Sequence, residues 1–180
     1  MIFAHDTEDG LACLVALVNT DDGDEHLPDV ATLAAFLKKC GWTGRHDRSE
    51  AELRAVRALR TKLRRLWDLD EDGVVALVNG LLREAPALPQ LVKHDAWDYH
   101  LHGASSDAPL ATRMAAELAM AVTDLVRTKE LARLRLCEYP GCMHVIVDLS
   151  KNRSKRFCDT GCGNRAAVEA YRARAKKKKR

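Results

Sequence analysis

The chain has 180 residues, enough for one domain or one domain with a small module. With 47% apolar and 31% charged residues it is neither disordered nor collagen-like, and with 5% aromatics its core must be built mostly from Leu, Val and Ala. No run approaches the ~18 apolar residues that a spanning helix needs, so no membrane partner is expected. The opening Met1-Ile-Phe-Ala-His-Asp6 lacks the basic-then-apolar order of a signal peptide, which points to the cytoplasm.

In chain order, Leu11 to Val18 is an apolar run read as a buried helix, with a strand as the lesser option. Thr20 to Asp29 is an acidic loop. Asp29 can cap a helix with Leu33, Phe36 and Leu37 on its inner face, closed by Gly41. Thr43 to Arg48 is a second loop. Ser49 and Glu52 have capping-box spacing at the head of a helix over 50–68, whose stripe is Leu53, Val56, Leu59, Leu63, Leu66 and Trp67. Asp70 to Gly73 breaks the pattern, Val74 to Glu84 resumes it, and Pro86 and Pro89 end it. Gln90 to Lys93 and Trp97 to His102 read as a small hairpin, and Gly103 to Pro109 as a loop. Leu110 to Val126 is an Ala-rich helix with Met114, Leu118, Val122 and Leu125 along one side. Thr128 to Leu136 reads as a link to the cysteine-rich C-terminal segment.

The net charge of +3 conceals a division. Ser150 to Arg180 carries 12 Lys/Arg and 2 Asp/Glu, a net of +10, whereas Met1 to Leu149 carries 17 and 24, a net of −7. An acidic body with a basic end suits a polyanionic partner, the plain alternative being a solubilising tail. The terminal Lys176 to Arg180 run would be drawn to any phosphate.

Four of the six cysteines share one window: Cys137, Cys142, Cys158 and Cys162. Two close pairs separated by a short insert read as a four-thiolate site for one structural Zn2+, with disulfides as the alternative. Pro140-Gly141 can turn the first pair toward one point, and the second pair opens a helix over 161–175. Four protein ligands leave no open position for catalysis. Cys13 and Cys40, among apolar neighbours, read as core residues.

Between the cysteine pairs, His144-Val-Ile-Val147 reads as a strand, Lys151-Asn152-Arg153 as a turn and Lys155-Arg156-Phe157 as the returning strand. On the helix, Cys162, Ala166, Ala170 and Ala173 share a face expected to meet the metal core, leaving Asn164, Arg165, Tyr171 and Arg172 on others. A metal-pinned hairpin and helix with cations on its free side suits double-stranded DNA. The candidate contacts are Lys151, Arg153, Lys155, Arg156, Asn164, Arg165, Arg172 and Arg174. Arginine can grip phosphate or guanine, and Asn can read adenine.

The run from Val147 to Cys158, with Cys162-Gly-Asn-Arg165 and Tyr171-Arg-Ala-Arg174, resembles the CGNR zinc finger. Leu17-Val-Asn-Thr20, Ala58-Leu-Arg60, Ala76-Leu-Val-Asn79 and Glu130-Leu-Ala-Arg133 resemble its companion, the bacterial ABATE domain. The resemblance implies a stress-induced transcription regulator with a helical, ligand-sensing domain and a DNA-binding finger. Val147 stands where an aromatic is expected and Phe157 where Trp is common, departures that bear on packing rather than on zinc.

The expected fold is mainly α: a helical domain over 1–130 with a small β-hairpin, then a zinc-binding β-hairpin and helix module over 131–175, and a basic tail over 176–180. Asn19, Arg60 and Asn79 are polar residues in apolar helical stretches, and His100 and His102 share one side of a strand. Either these residues satisfy one another and the backbone, or they line a site for a small acidic effector. A second metal on the two histidines lacks a third ligand. No nucleophile–base pair, phosphate loop or catalytic metal pattern occurs, so an enzyme is not expected. The competing reading is a zinc-dependent RNA-binding or protein-interaction module. One small finger has limited contact area, which favours a homodimer on DNA.

Overall fold

A computed structural model describes residues 3–85, 87–93 and 99–178. The chain order is α1 (His5–Val18), α2 (Val30–Lys39), α3 (Glu50–Arg64) with a 3-10 turn over Arg65–Trp67, then α4 (Glu71–Glu84). A short hairpin comes next, β1 (Gln90–Val92) with β2 (His100–His102), and then α5 (Leu110–Arg127). A 3-10 turn over Leu131–Arg133 leads into β3 (Leu134–Leu136), β4 (Val145–Val147) and α6 (Thr160–Lys178).

α5 is the central post because its apolar side is nearly continuous: Leu110, Met114, Leu118, Val122 and Leu125 are all essentially inaccessible. α1, α3 and α4 pack around it. α1 presents Leu11, Leu14 and Leu17, and α3 presents Leu53, Val56 and Leu63. α1 begins six residues before the expected Leu11, with Asp6 and Glu8 in its first turn, where they complement the helix dipole. Gly10 conceals this extension in the sequence. A Cβ there would stand 3.0 Å from that of Ala121, so the glycine lets α1 lie close on α5.

Side-chain caps explain the starts of α2, α3 and α4. Asp29 accepts from Thr32 N at 2.7 Å, Ser49 from Glu52 N at 3.2 Å and Asp70 from Gly73 N at 2.9 Å. Asp70 to Gly73 is therefore the first turn of α4 rather than a gap before it. Glu52 does not return to Ser49 as a reciprocal box would. Its carboxylate accepts from Asp47 N and Arg48 N and pairs with His46 Nδ1 at 2.7 Å, which ties down the loop before α3. In the first hairpin Gln90 pairs with His102 and Val92 with His100. Pro86 and Trp97, which enter the expected helix end and hairpin, lie outside the described residues, as do Lys179 and Arg180 of the tail.

The second hairpin corrects the expected pairing. β4 pairs antiparallel with β3, Leu134 opposite Val147 and Leu136 opposite Val145, and not with Lys155–Phe157. Val145, Ile146 and Val147 are all buried, so this strand needs a partner that can itself enter the core. The segment read as a link supplies it, whereas the basic 155–157 stretch stays at the surface.

β4 is also bound to the helical body. Asn19, at the end of α1, donates to Val145 O at 2.9 Å and accepts from Val145 N at 2.8 Å. Trp67 Nε1 donates to Ile146 O at 3.0 Å, and His144 Nε2 meets Asp22 Oδ2 at 2.9 Å. Asn19→Ala strands a backbone donor and acceptor at this joint. It is expected to cost about 1–3 kcal/mol, read as a lowered urea midpoint with an unchanged slope.

Candidate metal centre and nucleic-acid interface

The four sulfurs of Cys137, Cys142, Cys158 and Cys162 all lie within 4.8 Å of one another. Two separations are 3.8 Å, Cys142 to Cys158, and 3.6 Å, Cys158 to Cys162. A tetrahedron with zinc–sulfur bonds of about 2.3 Å has edges of about 3.8 Å, so the donor set fits zinc. A disulfide would bring two sulfurs to about 2.05 Å, and all six cysteines are free thiols. The donor set suits one structural zinc, which Cys137, Cys142, Cys158 and Cys162 could hold by chemistry and distance. Among the described residues no other group of three or more His, Cys, Asp or Glu has metal-site geometry.

Local sequence builds the knot. Gly141 has φ +78°, and Cys142 N donates to Tyr139 O at 3.0 Å, closing a turn through Pro140-Gly141. Cys137 N bonds His144 O at 2.9 Å, which returns the chain into β4. Asp159 accepts from Cys162 N at 2.7 Å and so heads α6 with Cys162 in its first turn. Without a metal, burial and the neighbouring thiols push Cys158 up. A divalent cation at the centre reverses that balance.

Several residues that sequence reasoning did not single out set the finger's shape. Asp148, fully buried, accepts from Ser150 N at 2.9 Å and Lys155 N at 2.8 Å, and so folds the 149–155 loop. Arg133, 3% exposed, donates to Asp148 O at 2.6 Å, Ser150 O at 3.0 Å and Glu130 Oε2 at 2.8 Å. The Asp-x-Ser spacing is the only local signal of this arrangement, since it is the sequence of an Asx turn. Arg133 gave none, because its partners lie up to 17 residues away.

The eight candidate DNA contacts separate into groups. Arg165 donates to Cys162 Sγ at 3.0 Å and lies 4.7 Å from the Tyr139 ring centroid, so it supports the thiolate cluster. Arg153 pairs with Glu130 at 2.7 Å and Arg156 with Glu138 at 2.6 Å. Lys151, Lys155, Asn164, Arg172 and Arg174 are exposed. Among the α6 residues whose burial is described, only Cys162 is buried, while Gly163 and Ala166 are half-buried. Ala170 and Ala173, expected against the metal core, are exposed, as is every residue over 167–176. That free stretch projects about 15 Å beyond the knot. Val147 is buried in the body core, and Phe157 is half-buried beside Gly163, so both departures from the expected residues are packing positions.

A cleft of about 540 Å³ opens between the first half of α1, α5, the 41–43 loop and the first hairpin. Asn79, His100 and His102 line it. His100 Nε2 meets His102 Nε2 at 2.9 Å, and His102 Nδ1 lies 3.3 Å from Glu117 Oε1. Asn19 and Arg60 lie elsewhere. Asn19 holds β4 as described. Arg60, 5% exposed, donates to Thr20 O at 3.2 Å and pairs with Glu25 at 2.7 Å. The five candidate effector residues are thus not brought to one place, and Asn19 and Arg60 satisfy backbone and loop groups instead.

Arg60 holds the Glu25 carboxyl down at about 2, against an ordinary 4.5. The stability this pair contributes is complete above the ordinary value and is lost as pH falls from about 4.5 toward 2. Arg60→Met is expected to flatten the acid limb of a stability–pH curve in that window. Comparing the two proteins at matched zinc loading removes the contribution of thiolate protonation.

A helical body built around one central helix, carrying a rigid four-cysteine zinc knot with a projecting cationic helix, defines a zinc-finger protein. Residues 133–175 match the CGNR zinc finger, and residues 11–129 match the ABATE family, described as "Putative stress-induced transcription regulator". The chain belongs to the ABATE family and carries a CGNR zinc finger. No curated protein matches it.

Proposed function

We propose that the protein is a transcription regulator that binds double-stranded DNA through the finger and responds to a small molecule held in the helical body. The carrying observation is the exposed cationic surface on a metal-pinned frame: Lys151 and Lys155 on the loop, Arg172, Arg174 and Lys176 on the free half of α6. A rigid helix with cations on its outer side suits a duplex groove flanked by phosphates. Asn164 is exposed at the head of the same helix and is the candidate base reader. The pairs of Arg153 and Arg156 with glutamates are surface pairs of small worth, so a phosphate can exchange for either carboxylate.

The alternative, a single-strand RNA module, needs free aromatic faces for stacking. Tyr139 is covered by Arg165 and hydrogen-bonded to Glu169, and Phe157 lies beneath Arg156, which leaves Tyr171 exposed. One free ring is a poor stacking platform, which favours the duplex.

The cleft lined by Asn79, His100 and His102 is the effector site in this reading. Its position supports a route to the finger: α1 lines the cleft with its first half and holds β4 through Asn19 just past its end. A ligand that prefers one placement of α1 would shift how the finger is presented. The chemistry in this reading is recognition, with no reaction assigned to the body. Selection of random duplexes by the zinc-loaded protein tests the proposal. An enriched motif is expected; equal recovery of single strands and no enrichment would sink it.

A further inference from the structure

A second hollow, of about 470 Å³, lies against the second half of α2, the 42–48 loop and the head of α5. Its volume is in the range of small-molecule sites. It shares Trp42, Thr43 and Arg113 with the effector cleft as a common wall. The two linings differ in charge. Asp6, Asp9, Glu117 and Asp124 line the effector cleft, whereas among the described residues no carboxylate lines the second hollow. Leu37, Trp42 and Leu110 give it apolar walls, and Lys38, His46 and Arg48 give it cations and an imidazole. On a body with a net charge of −7 this is a local reversal of sign.

The polar groups are held in place and left without partners. Glu52 fixes the loop, accepting from Asp47 N and Arg48 N at 3.0 Å each and facing His46 Nδ1 at 2.7 Å, so its charge is spent there. Arg48 is thereby kept at φ +52°, a conformation that non-glycine residues seldom adopt. With Nδ1 committed to Glu52, the other ring nitrogen of His46, Nε2, is buried with no hydrogen-bond partner. A buried polar atom left unpaired in the wall of a hollow is a contact that the protein does not complete by itself. Lys38 and Arg48 are exposed, and among the described residues neither side chain has an ion pair or a hydrogen bond. Arg113, 3% exposed, donates to Ala108 O, Thr43 O and Arg45 O and to no carboxylate among the described residues, so the shared wall carries a positive charge without a direct ion pair. We propose that this hollow binds a small organic anion, a monocarboxylate with an apolar body. Arg48 and Lys38 take the carboxylate, with His46 on its inner side, and Leu37, Trp42 and Leu110 take the body. The site depends neither on the effector cleft nor on DNA binding.

The test titrates the full-length, zinc-loaded protein with benzoate, phenylacetate and hexanoate, and with the neutral amide of each, while the indole N–H signal of Trp42 is followed by NMR. At least one carboxylate is expected to move that signal saturably and to bind about tenfold more tightly than its amide. Lys38→Gln combined with Arg48→Gln is expected to weaken that binding about tenfold. Both side chains are exposed, so helix content and zinc content should stay as they are. Asp9→Asn, in the effector cleft, should leave the binding unchanged. Carboxylates that bind no better than their amides would overturn the proposal. So would binding that Asp9→Asn strengthens and the double change leaves untouched, since that places the anion in the effector cleft.

Discussion

Stripping zinc with a chelator, or changing Cys158→Ser, is expected to abolish the finger and to destabilise the helical body with it. Zinc content should fall from about one per chain to none. Metal affinity in small zinc modules is worth about 10–16 kcal/mol, as much as the about 5–15 kcal/mol stability of a whole domain. A finger deprived of zinc therefore has no compensating source of order. The effect spreads because β4 belongs to both parts: Val145, Ile146 and Val147 are 4% exposed or less, and Asn19 and Trp67 bond that strand's backbone. Losing β4 exposes the body core and orphans Asn19. Thermal unfolding followed by helix signal should show one transition in the zinc form and a lower, broader one without metal. An unchanged body transition in the stripped protein would show that the joint carries no stability.

Reversing charge at Arg172 and Arg174 together is expected to weaken duplex binding on the order of 10²-fold near physiological salt. Each phosphate that the protein no longer neutralises should lower the slope of log affinity against log salt by about 0.9, so the double reversal should lower it by about 1.8. Both side chains are exposed on the free half of α6, so helix content and zinc content should not change. Deleting Lys176 to Arg180 removes five charges but no part of the finger's frame, and it should cost less. If the deletion abolishes binding while the reversal does nothing, the partner is held by a charged tail and not by the helix.

Short-range patterns in the chain already display much of this architecture. The helices are marked by caps at Asp29 and Ser49 and by the stripe from Leu53 to Leu66. The four zinc ligands are legible because chelation is a matter of residue type and spacing, and a tetrahedral ion tolerates few arrangements. The charge division follows from the residue types alone.

Which segments meet is a different matter. Val145 to Val147 needed a strand partner, and nothing local favoured Leu134–Leu136 over Lys155–Phe157; burial on both faces decided it. Asn19 and Arg60 looked alike as polar residues in apolar helices, yet one clasps the finger and the other a loop glutamate. The sequence offers Arg165 as a DNA contact, and the fold adds its bond to Cys162 Sγ. Periodicity, capping and metal spacing act over a few residues, so the chain displays them directly. Strand pairing and the joint between finger and body depend on which surfaces are jointly removed from water, and only the packed molecule expresses that.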